Sequence, residues 1–306
     1  MIAVTCLNPA FDRTLEIDAL HPGEVHRVRR HILGAGGKGV NVAIVLTTLG
    51  LDARCWTFVG QENAALFERQ LTQKNVATVC LPVPGEVRTN TKIVSDNSTV
   101  TELNEPGPVV TQSDLAGMIQ SMQACTDPFD CLVLTGSLPP GCPVDAYRTM
   151  MESVAGPVFL DTSGIPLVEG LKGHPIFVKP NLQEMAEATG MPVASEKDIR
   201  KAAETLQNMG ARNILLSLGE KGALLFSDSG IYSSPALSVP VRSTVGAGDA
   251  MVAGFLKGYL QTRDYGEALR MGTACGAASV MTEGTGLVRK ADVQGLLQKA
   301  QVKRVG

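Results

Sequence analysis

The sequence predicts an α/β fold built on a mainly parallel sheet, and three observations lead there. Short apolar runs alternate along the chain with segments of helical period. The runs are apolar throughout, as in strands buried on both faces. Two polar, extended stretches break the alternation and stand apart from it. Alternation of strand and helix means a sheet covered on both faces. Ligands of such sheets bind beyond the carboxyl ends of the strands.

The elements follow in order. Residues 2–6 form the first strand. Residues 41–49 place Val42, Val45, Leu46 and Leu49 on one helical face, with Gly50 at the C-terminal cap position. Thr111 and Asp114 form a capping signal for the next helix. Residues 131–135, 158–161, 176–179 and 214–218 are buried-type strands. Between the last two, Ile199, Ala202, Ala203 and Leu206 recur at helical spacing until Gly210 ends the run. Val252, Phe255, Leu256 and Tyr259 repeat the pattern in a helix that starts near Ala250. Residues 13–33 and 86–103 lack a helical period and are rich in Thr, Val and Arg. They read as strands of a small lid sheet, with a hairpin turn at Asp96-Asn97. A lid with one partly apolar face needs a cover, which points to a second subunit.

Composition narrows the function. The 306 residues carry a net charge of −3, which leaves no basic field for nucleic acid or an anionic membrane. The longest apolar runs, such as 250–255, fall far short of the roughly 18 residues of a membrane span. The opening Met-Ile-Ala-Val-Thr-Cys has neither a basic stretch nor a cleavage site, so a cytoplasmic location is expected. Seven cysteines occur without any Cys-x-x-Cys pair, which suits buried thiols in a reducing compartment better than zinc or disulfides.

Two glycine-rich segments carry the chemistry. Gly34-Ala-Gly-Gly-Lys-Gly39 matches G-x-G-x-x-G in form only, because the strand before it would contain Val25-His-Arg-Val-Arg-Arg-His. Such a charged segment cannot be the central strand of a dinucleotide fold. It is no Walker loop either, since Gly39 follows Lys38 where Ser or Thr belongs. Close glycines beside Lys38 suit a phosphate, and they also suit a plain tight turn. Asn41 fits either a helix cap or a group that reads a hydroxyl. In Ser243-Thr-Val-Gly-Ala-Gly-Asp249, Gly246 and Gly248 let successive N–H groups converge at a helix start, forming an anion nest. Asp249 is anomalous there. It fits a general base beside a transferring phosphoryl group, and equally a helix cap.

Taken together, Gly36-Gly-Lys-Gly-Val-Asn-Val-Ala43 and Ser243-Thr-Val-Gly-Ala-Gly-Asp-Ala-Met251 resemble the two signatures of the PfkB (ribokinase-like) carbohydrate kinases. Thr135-Gly-Ser-Leu-Pro-Pro-Gly141, Lys179-Pro-Asn-Leu-Gln-Glu184 and Ser217-Leu-Gly-Glu-Lys-Gly222 lie between them in the family's order. Within the family the chain resembles the hexose-phosphate branch of 1-phosphofructokinases, minor 6-phosphofructokinases and tagatose-6-phosphate kinases. Leu7-Asn-Pro-Ala-Phe-Asp12, Arg88-Thr-Asn-Thr-Lys92 and Thr101-Glu-Leu-Asn-Glu-Pro-Gly-Pro108 look most like the 1-phosphofructokinases.

The resemblance implies a single ribokinase-like domain over 1–306. It would be a three-layer sandwich with lid strands inserted at about 12–33 and 86–104. It implies ATP and Mg²⁺ as cofactors, and a ketohexose monophosphate as acceptor, with fructose 1-phosphate first and tagatose 6-phosphate or fructose 6-phosphate next. Asp249 matches the catalytic base, and Gly246, Ala247 and Gly248 match the anion hole. Asp12, Gly37 and Asn41 match the sugar site. Lys38 and Arg88, then Lys92, Arg27 and Ser137, are the candidates for the acceptor's own phosphate. Arg27 and Lys92 equally suit solvated lid charges. Lys179 falls with Asn181 and Glu184 in the Asn-x-x-Glu segment, where Glu184 positions Mg²⁺ through water. Asn181 and Glu184 also suit an ordinary helix start. Ser217, Gly219 and Gly222 match a nucleotide loop that is also a plausible hairpin turn. The small residues of 274–279 match the adenine side of the site or a close helix contact. A homodimer through the lid is expected.

A sensor that had lost the chemistry would be expected to lack Asp249 or Gly-Ala-Gly, and both are present. A nicotinamide-dependent redox enzyme is disfavoured by the charged segment before Gly34.

Overall fold

The computed structural model describes residues 1–96, 99–283 and 287–306. The first part of the chain contains β1 (Ile2–Cys6), β2 (Ala10–Ile17), β3 (Arg30–Gly36), α1 (Lys38–Thr48), β4 (Ala53–Gly60), α2 (Ala64–Gln73), β5 (Ala77–Val83), β6 (Arg88–Ser95) and β7 (Val100–Asn104). The middle adds α3 (Gln112–Gln123), β8 (Cys131–Thr135), α4 (Ala146–Ser153), β9 (Val158–Asp161), α5 (Gly164–Leu171), β10 (Phe177–Val178), α6 (Leu182–Thr189) and α7 (Glu196–Asn208). The last part holds β11 (Asn213–Ser217), β12 (Ala223–Ser227), β13 (Gly230–Ser234), α8 (Ala247–Thr262), α9 (Tyr265–Val280), α10 (Lys290–Leu297) and β14 (Lys303–Arg304).

These strands make two sheets. The main sheet has 10 strands in the order β14-β13-β12-β11-β10-β9-β8-β1-β4-β5. It is parallel from β11 to β5 and antiparallel across β12, β13 and β14. Alternate residues of its central strands feed opposite cores. Ile2, Val4 and Cys6 of β1 join Val42 of α1 and Phe255 of α8 on one face. Ala3 of β1 joins Met118 of α3 and Tyr147 of α4 on the other. Helix layers on both sides therefore sandwich the sheet, and its central strands β1, β8 and β9 are buried on both faces. Among the described residues, no helix is long and apolar enough to cross a membrane.

The second sheet has 4 strands in the order β3-β2-β6-β7. It leaves the main body at both ends of its first hairpin. β2 continues from β1 through Leu7–Pro9, and β3 runs straight into α1. Val100 and Leu103 remain exposed on β7, as does Val25 on the connection between β2 and β3.

The structure adjusts several sequence expectations. The strand expected at 176–179 is limited to Phe177–Val178, because Pro175 and Pro180 flank it and proline donates nothing to a ladder. Residues 13–33 are strand only at their ends, and 18–29 form an irregular connection containing Pro22-Gly23. The β6–β7 hairpin is present, but Asn97 of its expected turn lies outside the described residues. α8 begins at Ala247 instead of near Ala250, since Gly246 at φ +76 turns the chain directly into the helix. Asp249 therefore sits inside the first turn and is not its cap. All seven cysteines are free thiols.

Candidate active site

The carboxyl ends of the parallel strands and the inner face of the lid enclose a cavity of about 580 Å³. Its inner end is built on α8. Gly246 is the N-cap, in the left-handed region with no side-chain cap. Its φ of +76 is a conformation that residues with a side chain rarely adopt, which favours glycine there. The first amides of α8 have no acceptor within the helix, and Gly246 and Gly248 line the cavity at that helix start, where an anion is favoured.

Asp249 follows in the first turn, only 5% exposed, and accepts a hydrogen bond from Asn41 Nδ2 at 2.8 Å. Burial pushes its carboxyl up to about 6, and the negative charge of Asp161 adds to this. Lys38, the Asn41 amide and Lys179 pull the other way. A carboxylate with a raised value at such a helix start can take a proton from a hydroxyl at neutral pH. Asn41 is not a helix cap: its Nδ2 is engaged by Asp249, and the side chain lines the cavity. α1 already begins at Lys38, with Gly37 as N-cap.

Three charges meet beside Asp249. Asp161, at the end of β9, is fully buried. Its Oδ1 lies 3.2 Å from Lys179 Nζ and 3.4 Å from Lys38 Nζ, and Thr135 Oγ1 donates to Oδ2 at 3.3 Å. Burial alone would raise the Asp161 carboxyl, but the two ammonium groups override it and hold it below its ordinary value. Lys38 in turn is held well above its usual value, mainly by Asp161. Lys38 Nζ also lies 4.0 Å from Glu184 Oε1. Glu184 and Asn181 cap α6 reciprocally: Glu184 N donates to Asn181 Oδ1 at 2.9 Å, and Asn181 N donates to Glu184 Oε2 at 2.8 Å. Glu184 therefore starts the helix and still turns Oε1 toward the cavity.

The lid supplies the outer end. Arg88, Asn90 and Lys92 alternate along β6 and share one face. Asn90 Nδ2 donates to Asp12 Oδ1 at 3.3 Å, and Lys92 pairs with Glu102 of β7 at 3.8 Å. Burial raises the Asp12 carboxyl, against the pull of Lys92, Asn90 and Arg88. A Cβ on Gly36 would fall on the Asp12 carboxylate, so the glycine of β3 makes room for it. The Arg88 guanidinium donates to the carbonyls of Asn8 at 3.1 Å and Glu105 at 3.0 Å, tying the lid to the loop after β1. Asn8 Nδ2 donates to Ser137 Oγ at 3.3 Å.

The cavity thus gathers Asp12, Gly37, Lys38, Asn41, Arg88 and Lys92 with Ser137. Lys179, Asn181, Glu184 and Ser217 line it from the nucleotide-like motifs, and Gly246, Gly248 and Asp249 from the last. Ala247, Gly219 and Gly222 do not line it. Gly219 and Gly222 form the turn between β11 and β12, where Leu218 N donates to Gly222 O at 2.8 Å. Arg27 is exposed on the 18–29 connection, away from the cavity wall. In the 274–279 stretch, α9 packs tightly on α8: a Cβ on Gly254 would meet Cys275 Sγ at 2.6 Å.

Sequence reasoning missed Asp161, Asn90, Glu102 and Asn8. Asp161 had a signal, a carboxylate at the carboxyl end of a buried strand. Asn90 had one too, midway between two lid cations at strand spacing. Asn8 and Glu102 lie in the segments 7–12 and 101–108 that carry the family resemblance, but only loop folding and cross-strand register bring them to the cavity.

A family model described as pfkB family carbohydrate kinase matches residues 5–291. The 1-phosphofructokinase of Escherichia coli K12 is 33% identical over 305 residues, which cover 99% of this chain and 98% of that protein. The crystal structure of Escherichia coli phosphofructokinase-2 superposes with a TM-score of 0.91 at 25% identity, covering 97% of this chain and 98% of that one. Arabidopsis thaliana ribokinase, at 21% identity over 97% of this chain and 98% of that one, shares the fold with a TM-score of 0.80.

Proposed function

The chain belongs to the pfkB family of carbohydrate kinases and is a phosphotransferase that uses ATP and takes an alcohol group as acceptor; we propose that the acceptor is a ketohexose monophosphate, fructose 1-phosphate before tagatose 6-phosphate or fructose 6-phosphate. The observation that carries this is the two-ended cavity. One end holds a buried carboxylate at a helix start, and the other carries a row of lid cations.

In this reading Asp12 and Asn90 bind sugar hydroxyls. Arg88 and Lys92, with Ser137, take the acceptor's own phosphate. Asp249 removes the proton of the acceptor hydroxyl as its oxygen attacks the γ-phosphorus of ATP. The bond to the β–γ bridging oxygen breaks and ADP leaves. The nest at Gly246–Gly248 stabilises the charge on the transferring group. The lid shuts out water, which would otherwise take the acceptor's place.

Mg²⁺ fits the donors present. Among the described residues no cluster of three or more His, Cys, Asp or Glu side chains could hold a metal ion by itself. Glu184 offers one carboxylate oxygen to the cavity, which suits an ion that keeps its waters and binds mainly phosphate. When bound, Mg²⁺ neutralises charge on the ATP phosphates. The exposed Val25, Val100 and Leu103 favour a homodimer through the lid. The seven free thiols favour the cytoplasm.

A coupled assay of ADP release tests the substrate. Fructose 1-phosphate should show the highest kcat/KM, above fructose 6-phosphate, tagatose 6-phosphate and unphosphorylated sugars. A preference for an unphosphorylated sugar would overturn the reading.

A further inference from the structure

We infer that Asp161 is a positioning residue for the transfer, whose carboxylate sets Lys38 and Lys179 side by side where the γ-phosphoryl group passes to the acceptor. This rests on the kinase reading above. It also moves Lys38 from the acceptor's phosphate to the transferring one.

The geometry is specific. Both ammonium groups approach one oxygen, Oδ1, at 3.2 and 3.4 Å, while Thr135 Oγ1 donates to the other. The three partners arrive from separate elements: α1, the segment after β10, and the end of β8. Two like charges this close repel unless an anion lies between them. Lys179 also abuts the start of α8, since a Cβ on Gly248 would lie 3.4 Å from its Nζ. Lys38 Nζ lies 4.0 Å from Glu184 Oε1. The pair therefore touches both the start of α8 and the Asn181–Glu184 segment. Besides the two lysines, Asp161 influences Asp249, whose carboxyl its negative charge raises, and Tyr147, buried on α4, whose hydroxyl donates to the carbonyls of Thr135 and Gly136 instead.

Stability alone gives little reason for such a triad. Buried ion clusters are commonly no better than apolar packing, because desolvation offsets attraction. Two cations aimed at a cavity need a counter-ion to keep them there, and Asp161 supplies it.

The test uses Asp161→Asn in the full chain, on whichever acceptor the wild type prefers. Its kcat should fall about a hundredfold, the scale of losing one preorganised electrostatic contact. KM for the sugar phosphate should stay within about threefold, and affinity for MgATP should hold or tighten, since an anion has been removed near the phosphates. In a Lys38→Met/Lys179→Met background the same change should cost less than about threefold, because a residue acting through others loses its effect without them.

A full loss in that background, or a parallel fall in MgATP affinity and in Mg²⁺ dependence, overturns the inference in favour of a direct ligand. If Asp161→Asn does not fold, Thr135→Val keeps the charges and loosens only the carboxylate. It should lower kcat by about threefold to tenfold at constant KM, and an unchanged kcat would refute the inference. Should the wild type phosphorylate no sugar phosphate, the kinase-substrate reading fails first. Calorimetry with ATP and ADP then decides the role of Asp161. Lys38→Met and Lys179→Met should each narrow the preference for ATP over ADP, and Asp161→Asn should narrow it by a smaller factor, since both charges remain but lose their anchor. An unchanged preference in Asp161→Asn would refute the role.

Discussion

The end of β9 and the first turn of α8 each bury an aspartate, at 0% and 5% exposure, and the two are driven in opposite directions. Asp161 has two ammonium groups on one oxygen and is held below its ordinary value. Asp249 has an amide as its direct partner, feels Asp161's negative charge, and is pushed up to about 6. Burial acts alike on both, so it does not separate them. The number of cations in contact does. The contrast assigns a permanent counter-ion to one position and an exchangeable proton to the other. It is sharper for opposing the helix field, since a carboxylate in the first turn of α8 should be favoured as an anion.

The contrast breaks most visibly at Asp249. Asp249→Asn should lower kcat about a thousandfold, the scale of a lost general base, with little change in the affinity for ATP or sugar phosphate by calorimetry. Near-normal turnover would remove Asp249 from the role of base. At the other end of the cavity, Arg88→Gln or Lys92→Met should raise KM for the sugar phosphate about tenfold to a hundredfold, with kcat less affected. If neither moves KM, the phosphate pocket lies elsewhere.

A finer test is the pH profile. Only ionised Asp249 can act as base, so kcat should be retained above about 6 and lost as pH falls through that value. Asn41→Ala removes the hydrogen bond that favours the ionised form. The acid limb should then move upward by about one pH unit or less. A downward shift would contradict the Asn41–Asp249 contact.

The smallest effect is on stability. A carboxyl whose folded value lies above its unfolded value costs stability once it ionises. That cost is absent at low pH, grows from the ordinary carboxylate range up to about 6, and is complete above it. Asp249→Asn should therefore raise Tm by about 2–4 °C at pH 8, the size of a 1 kcal/mol gain, and the gain should fade toward pH 4. An equal gain at both pH values would point to packing instead of charge.

Much of this was legible along the chain. Residues 2–6, 131–135 and 158–161 were expected as strands and are strands, because apolar runs buried on both faces leave a local signature. Thr111 and Asp114 cap α3 as their spacing indicated. The charged segment before Gly34 lies in and before an exposed lid strand, in keeping with its exclusion as a central strand. Both glycine segments reach one cavity. Arg27 was a weaker candidate, and sequence had no means of telling a lid charge facing the cavity from one facing water.

What sequence alone determined was the inventory: an α/β sandwich with a lid, two glycine turns, and the carboxylate and cations near them. These depend on periodicity, turn chemistry and short motifs, all carried by neighbouring residues. Only the folded molecule decided the pairings. Asn41 meets Asp249 across 208 residues, and Asp161 collects Lys38 and Lys179 from two other elements. Proton affinity depends on charges a few ångströms away in space, and sequence distance says nothing about those.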